Sequence, residues 1–219
     1  KPLDGFQGAL PKGKIKEFLD KHLPEDNVLE AEVTSVEVSD APPADDPAAV
    51  LDALHQAVLK NPDDEDARFN YVKLLLERDQ VDDAKVAFAP VIAKTTLVRR
   101  FDSLQRWMKA IDSVADGADL SKVNEEFDAR VATNKRDFDA RFGKAQSLMA
   151  AQKWTAAMDE LLEILMRDKS WNEELARKTY IAILDLIEPP PVKVADGQIP
   201  PVDPTVATYR RRLSSVVLS

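Results

Sequence analysis

The sequence contains no cysteine and only two histidines among its 219 residues. The lack of cysteine excludes a disulfide framework, a thiolate metal site and a cysteine nucleophile. His22 and His55 lie on separate predicted helices, and neither has the convergent ligands of a metal site or the partner groups of a catalytic triad. We therefore expect no metal, no cofactor and no enzymatic activity.

Glycine and positive charge are also scarce. Six glycines favour helices over strands and tight turns, and Gly5-Phe6-Gln7-Gly8 is too short to form a phosphate-binding loop. A net charge of −9 argues against nucleic-acid binding, which needs a basic surface. No apolar run approaches the roughly 18 residues that cross a membrane. We expect neither a nucleic acid nor a membrane as partner, and a reducing, cytoplasmic location.

Residues 134–187 carry the strongest pattern of the chain. One predicted helix places Phe142, Ala145, Leu148 and Met149 on one face, at spacings of three and four. The next does the same with Met158, Leu161, Leu162 and Leu165. The five residues between them leave room only for a tight antiparallel turn, and a third helix follows at Trp171. Because such a pair needs neighbours on both sides, the pattern predicts a helical solenoid.

An internal repeat supports this prediction. Asp66-Ala67-Arg68-Phe69 recurs 73 residues later as Asp139-Ala140-Arg141-Phe142, and at the same offset Ala84 matches Ala157 and Phe88 matches Leu161. The pattern resembles the tetratricopeptide repeat, whose period of roughly 34 residues leaves room for one degenerate unit between the copies. The resemblance implies that Ala84 and Ala157 let two helices approach closely. The small residue of the first helix is kept as Ala145 but replaced by Val72.

Further helices are predicted on both sides of the repeat. We expect helices at about 47–60, 66–78, 82–92 and 97–115, with Leu59 directed inward and Pro90 kinking or shortening the third. Ser121 is expected to cap the next helix. The acidic run at 63–66 lacks the spacing of a calcium loop and fits a solvated helix start. A terminal helix is expected at 205–219, after a proline-rich loop at 189–204.

The first 46 residues differ in composition from the rest. Residues 1–24 resemble the C-terminal strand and helix of a thioredoxin-like domain, and a generic amphipathic helix after a loop is an equal alternative. Residues 25–46 form an acidic, proline-rich linker that ends before the helical domain of residues 47–219. The start, Lys1-Pro2-Leu3-Asp4, has no initiator methionine and no signal peptide, so we expect the interior of a longer protein.

Two groups of side chains are candidates for contact with a partner. Trp107, Trp154 and Trp171 fit core packing for at least two of the three, and the alternative is that they anchor a bound peptide. The run Arg210-Arg211-Arg212 fits an acidic partner as well as it fits pairing with the chain's own carboxylates.

Two stretches of the chain carry a further resemblance. They are Arg167-Asp168-Lys169-Ser170-Trp171-Asn172-Glu173-Glu174-Leu175-Ala176-Arg177-Lys178 and Tyr209-Arg210-Arg211-Arg212-Leu213-Ser214-Ser215. Both resemble the bacterial co-chaperones that combine a thioredoxin domain with tetratricopeptide repeats, the chaperedoxins. The resemblance implies a holdase that binds unfolding or oxidised client proteins and docks on a chaperonin through its C-terminal helix. The docking residues carried over are Tyr209, Arg210, Arg211, Arg212, Leu213, Val216 and Val217. The chain departs from the family in keeping only the tail of the thioredoxin fold and in its longer proline-rich loop.

The sequence therefore predicts an all-α, tetratricopeptide-like solenoid of antiparallel helix pairs, preceded by a remnant strand and helix of a thioredoxin fold. The expected function is that of a protein-binding co-chaperone module that holds clients on apolar surface between helix layers. Two alternatives stay open. One is an accessory domain that positions substrates for a thioredoxin-type redox protein, and the other is a passive tetratricopeptide scaffold.

Overall fold

A computed structural model describes residues 47–114, 117–190 and 201–218, all of which lie in one compact unit. Most of these residues are helical and none lies in a strand, which confirms the predicted all-α solenoid. The elements in chain order are α1 (Pro47–Lys60), α2 (Glu65–Glu77), α3 (Val81–Phe88), a 3₁₀ helix (Ala89–Lys94), α4 (Arg99–Asp112), α5 (Leu120–Thr133), α6 (Phe138–Ala150), α7 (Trp154–Leu165), α8 (Trp171–Ile187) and α9 (Pro204–Leu218).

The predicted repeat is a structural duplication as well. Asp64 caps α2 by accepting a hydrogen bond from the Ala67 amide at 2.9 Å. Asp137 caps α6 by accepting a hydrogen bond from the Ala140 amide at the same distance. Both first helices end in a turn with one residue at positive φ, Asp79 at 58° and Gln152 at 57°. The second helix of each pair then presents a fully buried alanine, Ala84 in α3 and Ala157 in α7. The two helix pairs therefore share the same cap, the same turn and the same small buried residue.

The buried arginine of each copy also occupies the same place. Arg68 and Arg141 are both 7% exposed, and each reaches the residue 19 positions further along the chain. Arg68 donates to the backbone carbonyl of Ala87 at 2.9 Å, whereas Arg141 donates to the Glu160 carboxylate at 2.8 Å. The arginine at the equivalent position of the two copies thus makes a hydrogen bond to the backbone in one copy and an ion pair in the other.

Three local predictions are settled by the helix ends. Pro90 does shorten its helix, because α3 stops at Phe88 and continues as 3₁₀ helix. The expectation that Ser121 caps α5 is wrong: Asp119 is the cap and accepts from the Ser121 amide at 3.0 Å. The inward placement of Leu59 is also wrong, since its side chain is 59% exposed while Val58 is the buried residue of α1.

The core consists of two clusters of buried side chains. The first cluster joins α2, α3 and α4 and includes Phe69, Phe101 and Trp107. The second cluster joins α6, α7, α8 and α9 and includes Met158 and Tyr180. Trp154 packs against both clusters, and its ring meets the Trp107 ring edge-on with centroids 4.8 Å apart. The tryptophan contact therefore joins α4 to the second copy of the repeat, and Trp154 also packs on the cluster that contains the first copy.

Helix α4 fills the space between the copies. It packs against α2, α6 and α8, and its first residue, Arg99, forms an ion pair with Asp185 near the end of α8. Helix α5 packs on α6 at Gly143, where a Cβ atom would lie 2.6 Å from the Phe127 ring. The α4–α5 segment occupies the place that the repeat spacing reserves for a degenerate unit.

Helix α8 begins irregularly. Asn172, Glu173 and Glu174 have φ values of 45°, 55° and 62°, so the chain makes a left-handed turn before the right-handed helix continues. Left-handed geometry is costly for residues other than glycine. Trp171, just before this turn, packs on Phe138 and Phe142 with ring centroids 6.3 Å and 5.4 Å away, and these contacts fix where the turn starts.

Several predictions lie outside the described residues. These are the thioredoxin-like strand and helix at 1–24, the linker at 25–46, His22, and residues 191–200 of the proline-rich loop.

Candidate functional site

The C-terminal helix, predicted to dock on a partner, is packed on the body of the domain. Asp203 caps α9 by accepting from the Thr205 and Val206 amides at 2.8 Å and 2.9 Å. Val206 and Tyr209 are buried in the second core cluster, and Leu213 and Val216 pack against it. Most of the apolar face of α9 therefore stabilises the domain itself.

Two tyrosines connect α9 to the helices beneath it. The buried Tyr180 hydroxyl donates to the Tyr209 carbonyl at 2.7 Å, and the Tyr209 hydroxyl donates to Asp159 at 3.2 Å. Burial raises the pKa of both phenols, and the negative charge of Asp159 raises that of Tyr209 further. The phenols thus stay neutral and keep their hydrogen bonds at neutral pH.

The arginine run divides into paired and unpaired members. Arg210 forms an ion pair with Glu188 at 2.7 Å, and Arg212 pairs with Asp159 and lies 4.8 Å from the centre of the Tyr209 ring. Arg211 is exposed and has no ion pair or hydrogen bond with any side chain of residues 47–114, 117–190 or 201–218. Self-pairing thus accounts for two arginines and leaves the third directed outward.

The other predicted docking residue, Val217, is half-buried, and its carbonyl accepts from Lys169 Nζ at 3.3 Å. Beside Arg211 runs a groove of about 510 Å³, here called the terminal groove. It is lined by Leu162, Met166, Thr208, Arg211, Arg212, Ser215 and Val216. Met166 is 53% exposed. The groove combines apolar surface with positive charge.

A second, more enclosed groove of about 240 Å³ lies between α4, α6 and α8, here called the central groove. It is lined by Arg106, Lys109, Phe142, Gln146, Met149, Leu175 and Thr179. A third of about 500 Å³, the first groove, lies among α1, α2 and α3. Exposed Leu59 and Val86 line it, and Val86 is 74% exposed.

The tryptophans mainly serve packing. Trp107 is fully buried, Trp154 joins both core clusters, and Trp171 packs on two phenylalanines. The expectation that at least two of the three pack in the core is confirmed.

Among the described residues considered for catalysis or metal binding, His55 and three members of the acidic run have structural partners. His55 stacks on Tyr71, with ring centroids 5.2 Å apart and planes 9° from parallel. In the acidic run, Asp64 is a helix cap, Glu65 pairs with Lys94 and Asp66 with Arg100. Across the part of the chain that the structure describes, no group of acidic or histidine side chains is arranged to hold a metal ion. None of the described helices is long and apolar enough to cross a membrane.

Sequence reasoning missed the polar residues of the central groove. Arg106 and Lys109 lie one helical turn apart on the polar side of a predicted amphipathic helix, and Gln146 and Thr179 interrupt the apolar faces of two further helices. Polar residues at helical spacing within such faces were the available signal. The sequence did not show that these three helices are neighbours.

Comparison with known proteins agrees with the geometry. A family model described as a tetratricopeptide repeat matches residues 44–107, and a second model with the same description matches residues 114–217. No curated protein matches the chain.

Proposed function

The chain is a protein with tetratricopeptide repeats, and from this premise we propose that it is a co-chaperone module that holds unfolding clients and docks on a chaperonin through α9. Tetratricopeptide repeats are protein-interaction modules, so protein binding is the general function that they indicate. Holding clients and docking on a chaperonin are the specific roles proposed here. The module has no enzymatic activity of its own in this proposal and works in the cytoplasm.

The observation that carries the docking role is the exposed, unpaired Arg211 beside the apolar Met166. An arginine next to exposed apolar surface is typical of the residues that anchor protein interfaces. Three of the other predicted docking residues have a packing role in this proposal. Tyr209, Leu213 and Val216 hold α9 in place, and the partner is met by the outer surface of the helix.

The client-binding role rests on the first groove. Leu59 and Val86 are exposed there above a floor that includes Leu75. Apolar surface in a groove binds the apolar segments that an unfolding protein exposes, with little demand on their sequence. Because the chain has no cysteine, holding an oxidised client does not proceed through a disulfide with this chain.

Docking is tested by co-sedimentation of the chain with a chaperonin. Deleting α9 is a poor test, because Val206 and Tyr209 belong to the core. Arg211→Glu reverses the outward charge without touching a buried group, and Lys122→Glu, on the exposed face of α5 where Lys122 lies 4.0 Å from Asp119, is the control charge reversal elsewhere. We expect Arg211→Glu to abolish co-sedimentation and Lys122→Glu to preserve it. Equal binding by both variants, or no binding by the natural chain, contradicts the docking role.

Client holding is tested separately, by light scattering from a heat-denatured enzyme. We expect the chain to suppress aggregation and the double variant Leu59→Ser, Val86→Ser to suppress it much less, while Arg211→Glu is unaffected. A chain that leaves aggregation unchanged but binds one folded partner is a scaffold.

A further inference from the structure

The first and the last helices of the array both expose apolar side chains. Leu59 and Val86 lie at the first groove, beside α1, α2 and α3, and Met166 lies at the terminal groove, beside α7 and α9. All three side chains are more than half exposed. The end units of a repeat array usually present a polar outer face, which keeps separate molecules apart. Because these two ends lack a fully polar face, each is a candidate surface for contact with another molecule.

The first groove carries an unpaired negative charge. Asp83 lines it one helical turn before Val86 on α3, so the two side chains share a face. Asp83 is exposed and forms no ion pair with any described residue, and its neighbour Lys85 pairs instead with Asp112 at 2.7 Å. The buried Arg68, which also lines the groove, donates to two backbone carbonyls at 2.9 Å and 3.2 Å. The first groove is therefore an apolar surface with an acidic rim.

The acidic rim extends over the neighbouring surface of the same helices. Three further acids at this end are exposed and lie outside the ion pairs of the described residues: Asp52, Asp79 and Asp82. A partner surface that meets the first groove is therefore favoured if it is basic.

The terminal groove carries the opposite charge. Helix α9 contains three arginines and no acidic residue. Arg210 and Arg212 are neutralised by Glu188 and Asp159. Arg211 lines the groove together with Met166 and has no ion pair among the described residues. The terminal groove is therefore an apolar surface with a basic rim.

The two ends are matched in size and chemistry. The grooves measure about 500 Å³ and about 510 Å³. A methionine side chain is flexible and polarisable, so Met166 adapts well to an irregular apolar surface such as that around Leu59 and Val86. A guanidinium group next to it finds in Asp83 a carboxylate that it can hold with charge-assisted hydrogen bonds. Each end thus offers what the other lacks.

From this complementarity we infer that the chain self-associates head to tail, with the terminal groove of one copy against the first groove of the next. Met166 of one copy packs on Leu59 and Val86 of the next copy. Arg211 forms an ion pair with the next copy's Asp83. Because two different surfaces meet, the contact is heterologous and each copy keeps one end free for a further copy.

The inference goes beyond the proposed function and does not depend on it. It has a consequence for that function, since the contact covers both the client-binding first groove and the outer surface of α9. Clients and the chaperonin therefore compete with self-association, and the assembled chain is an idle form.

Sedimentation velocity of the full chain tests the association itself. The contact is small, so we expect a dissociation constant between about 10 µM and about 1 mM. The average mass should rise with concentration across that range and fall again when salt is added, because the Arg211–Asp83 pair is screened. A chain that stays monomeric at about 1 mM in low salt overturns the inference.

A charge swap between two chains tests which surfaces meet. Arg211→Glu and Asp83→Arg each place like charges at the contact between identical copies, so each variant alone should associate at least about tenfold more weakly than the natural chain. In an equal mixture every contact between the two variants joins opposite charges, and association should return to the natural level. A mixture that associates no better than its components overturns the inference, as does natural-level association by either variant alone.

Matched controls separate this contact from a general effect of charge. Lys122→Glu and Glu125→Arg reverse exposed charges on α5, and both are expected to associate like the natural chain. The methyl resonances of Met166, Leu59 and Val86 should shift with protein concentration, while those of the buried Met149 and Met158 stay unchanged. Association that leaves the three exposed methyl groups unmoved places the contact elsewhere and overturns the inference.

The outcome is distinguishable from that of the docking proposal. Asp83→Arg is expected to lose self-association but to co-sediment with the chaperonin like the natural chain. Arg211→Glu is expected to lose the chaperonin whether or not Asp83→Arg is present to restore its association.

Discussion

Arg99 and Asp185 stand 86 residues apart in sequence, yet Arg99 donates two hydrogen bonds to the Asp185 carboxylate, at 2.8 Å and 2.9 Å. The Ser103 hydroxyl lies 3.2 Å from the same carboxylate. The pair is buried on one side only: the side chain of Asp185 is 5% exposed and that of Arg99 is 70% exposed. The contact ties the start of α4 to the end of α8, so it joins the middle unit to the helix that follows the second copy of the repeat.

This one-sided burial predicts an asymmetry between two substitutions. Arg99→Ala leaves a buried carboxylate with Ser103 as its remaining described donor, and we expect it to lower the free energy of unfolding by about 2–3 kcal/mol. Asp185→Ala leaves Arg99 in water and should cost about 1 kcal/mol less. The double variant should be more stable than Arg99→Ala. Urea unfolding of the three variants measures the differences, and equal, additive losses would show that the pair does not act as a unit.

Gly143 is predicted to resist the substitution that usually strengthens a helix. Replacing an interior helical glycine by alanine ordinarily stabilises by about 1 kcal/mol, but here the new Cβ would lie 2.6 Å and 2.7 Å from two atoms of the Phe127 ring. We expect Gly143→Ala to destabilise by about 1 kcal/mol, because the ring and α5 must move. In the Phe127→Ala background the same change should stabilise. Thermal unfolding of the four proteins provides the test, and a stabilising Gly143→Ala in the natural background would refute the close contact.

The duplicated caps provide a matched pair of variants. Asp64→Ala removes the cap of α2 and should cost about 1 kcal/mol. Asp137→Ala removes the equivalent cap of α6 and also the contacts of Arg130, at 3.0 Å and 3.1 Å, which hold the end of α5. Because Arg130 is half-exposed, the extra loss is expected to be a few tenths to about 1 kcal/mol. Urea unfolding of both variants compares them, and an Asp64→Ala loss as large as the Asp137→Ala loss would contradict this account.

Alkaline pH is predicted to loosen α9. Burial raises the pKa of Tyr180 well above its ordinary value near 10, so the folded state favours the neutral phenol. That contribution is complete below about pH 10 and is lost as the pH rises through the raised pKa of the folded state. We expect the melting temperature to fall above about pH 10 and to fall less steeply in Tyr180→Phe. Some dependence should persist, since the pKa values of Tyr71 and Tyr209 are also raised.

The repeat itself was predictable because its cause is local. Each of its features depends on a short segment of sequence: the apolar helix faces, the small residues Ala84 and Ala157, and the helix caps. These features recur at one offset. The bounds of α1 are the same in sequence and structure for this reason. The choice of Asp119 over Ser121 as a cap was a competition between two good capping residues two positions apart, which a sequence pattern alone does not decide.

The sites depend on longer-range packing, and there the sequence was less informative. The sequence does not distinguish the three arginines of the run Arg210-Arg211-Arg212. In the structure, Glu188 and Asp159 lie where they pair with Arg210 and Arg212, which leaves Arg211 unpaired. The left-handed turn at 172–174 contains two glutamates, which have no preference for that geometry. The central groove exists because α4 lies between α6 and α8, a relationship between helices that no short motif encodes.

Trp154, which packs on both core clusters and meets Trp107 edge-on, has a consequence for how the array unfolds. Repeat proteins whose units touch only their neighbours can melt in stages. Here one indole belongs to the interior of both halves, so neither half separates without exposing surface of the other. We therefore expect a single cooperative unfolding transition, in which tryptophan fluorescence and circular dichroism change together. Trp154→Ala should split that transition in two, converting one thermodynamic unit into a pair.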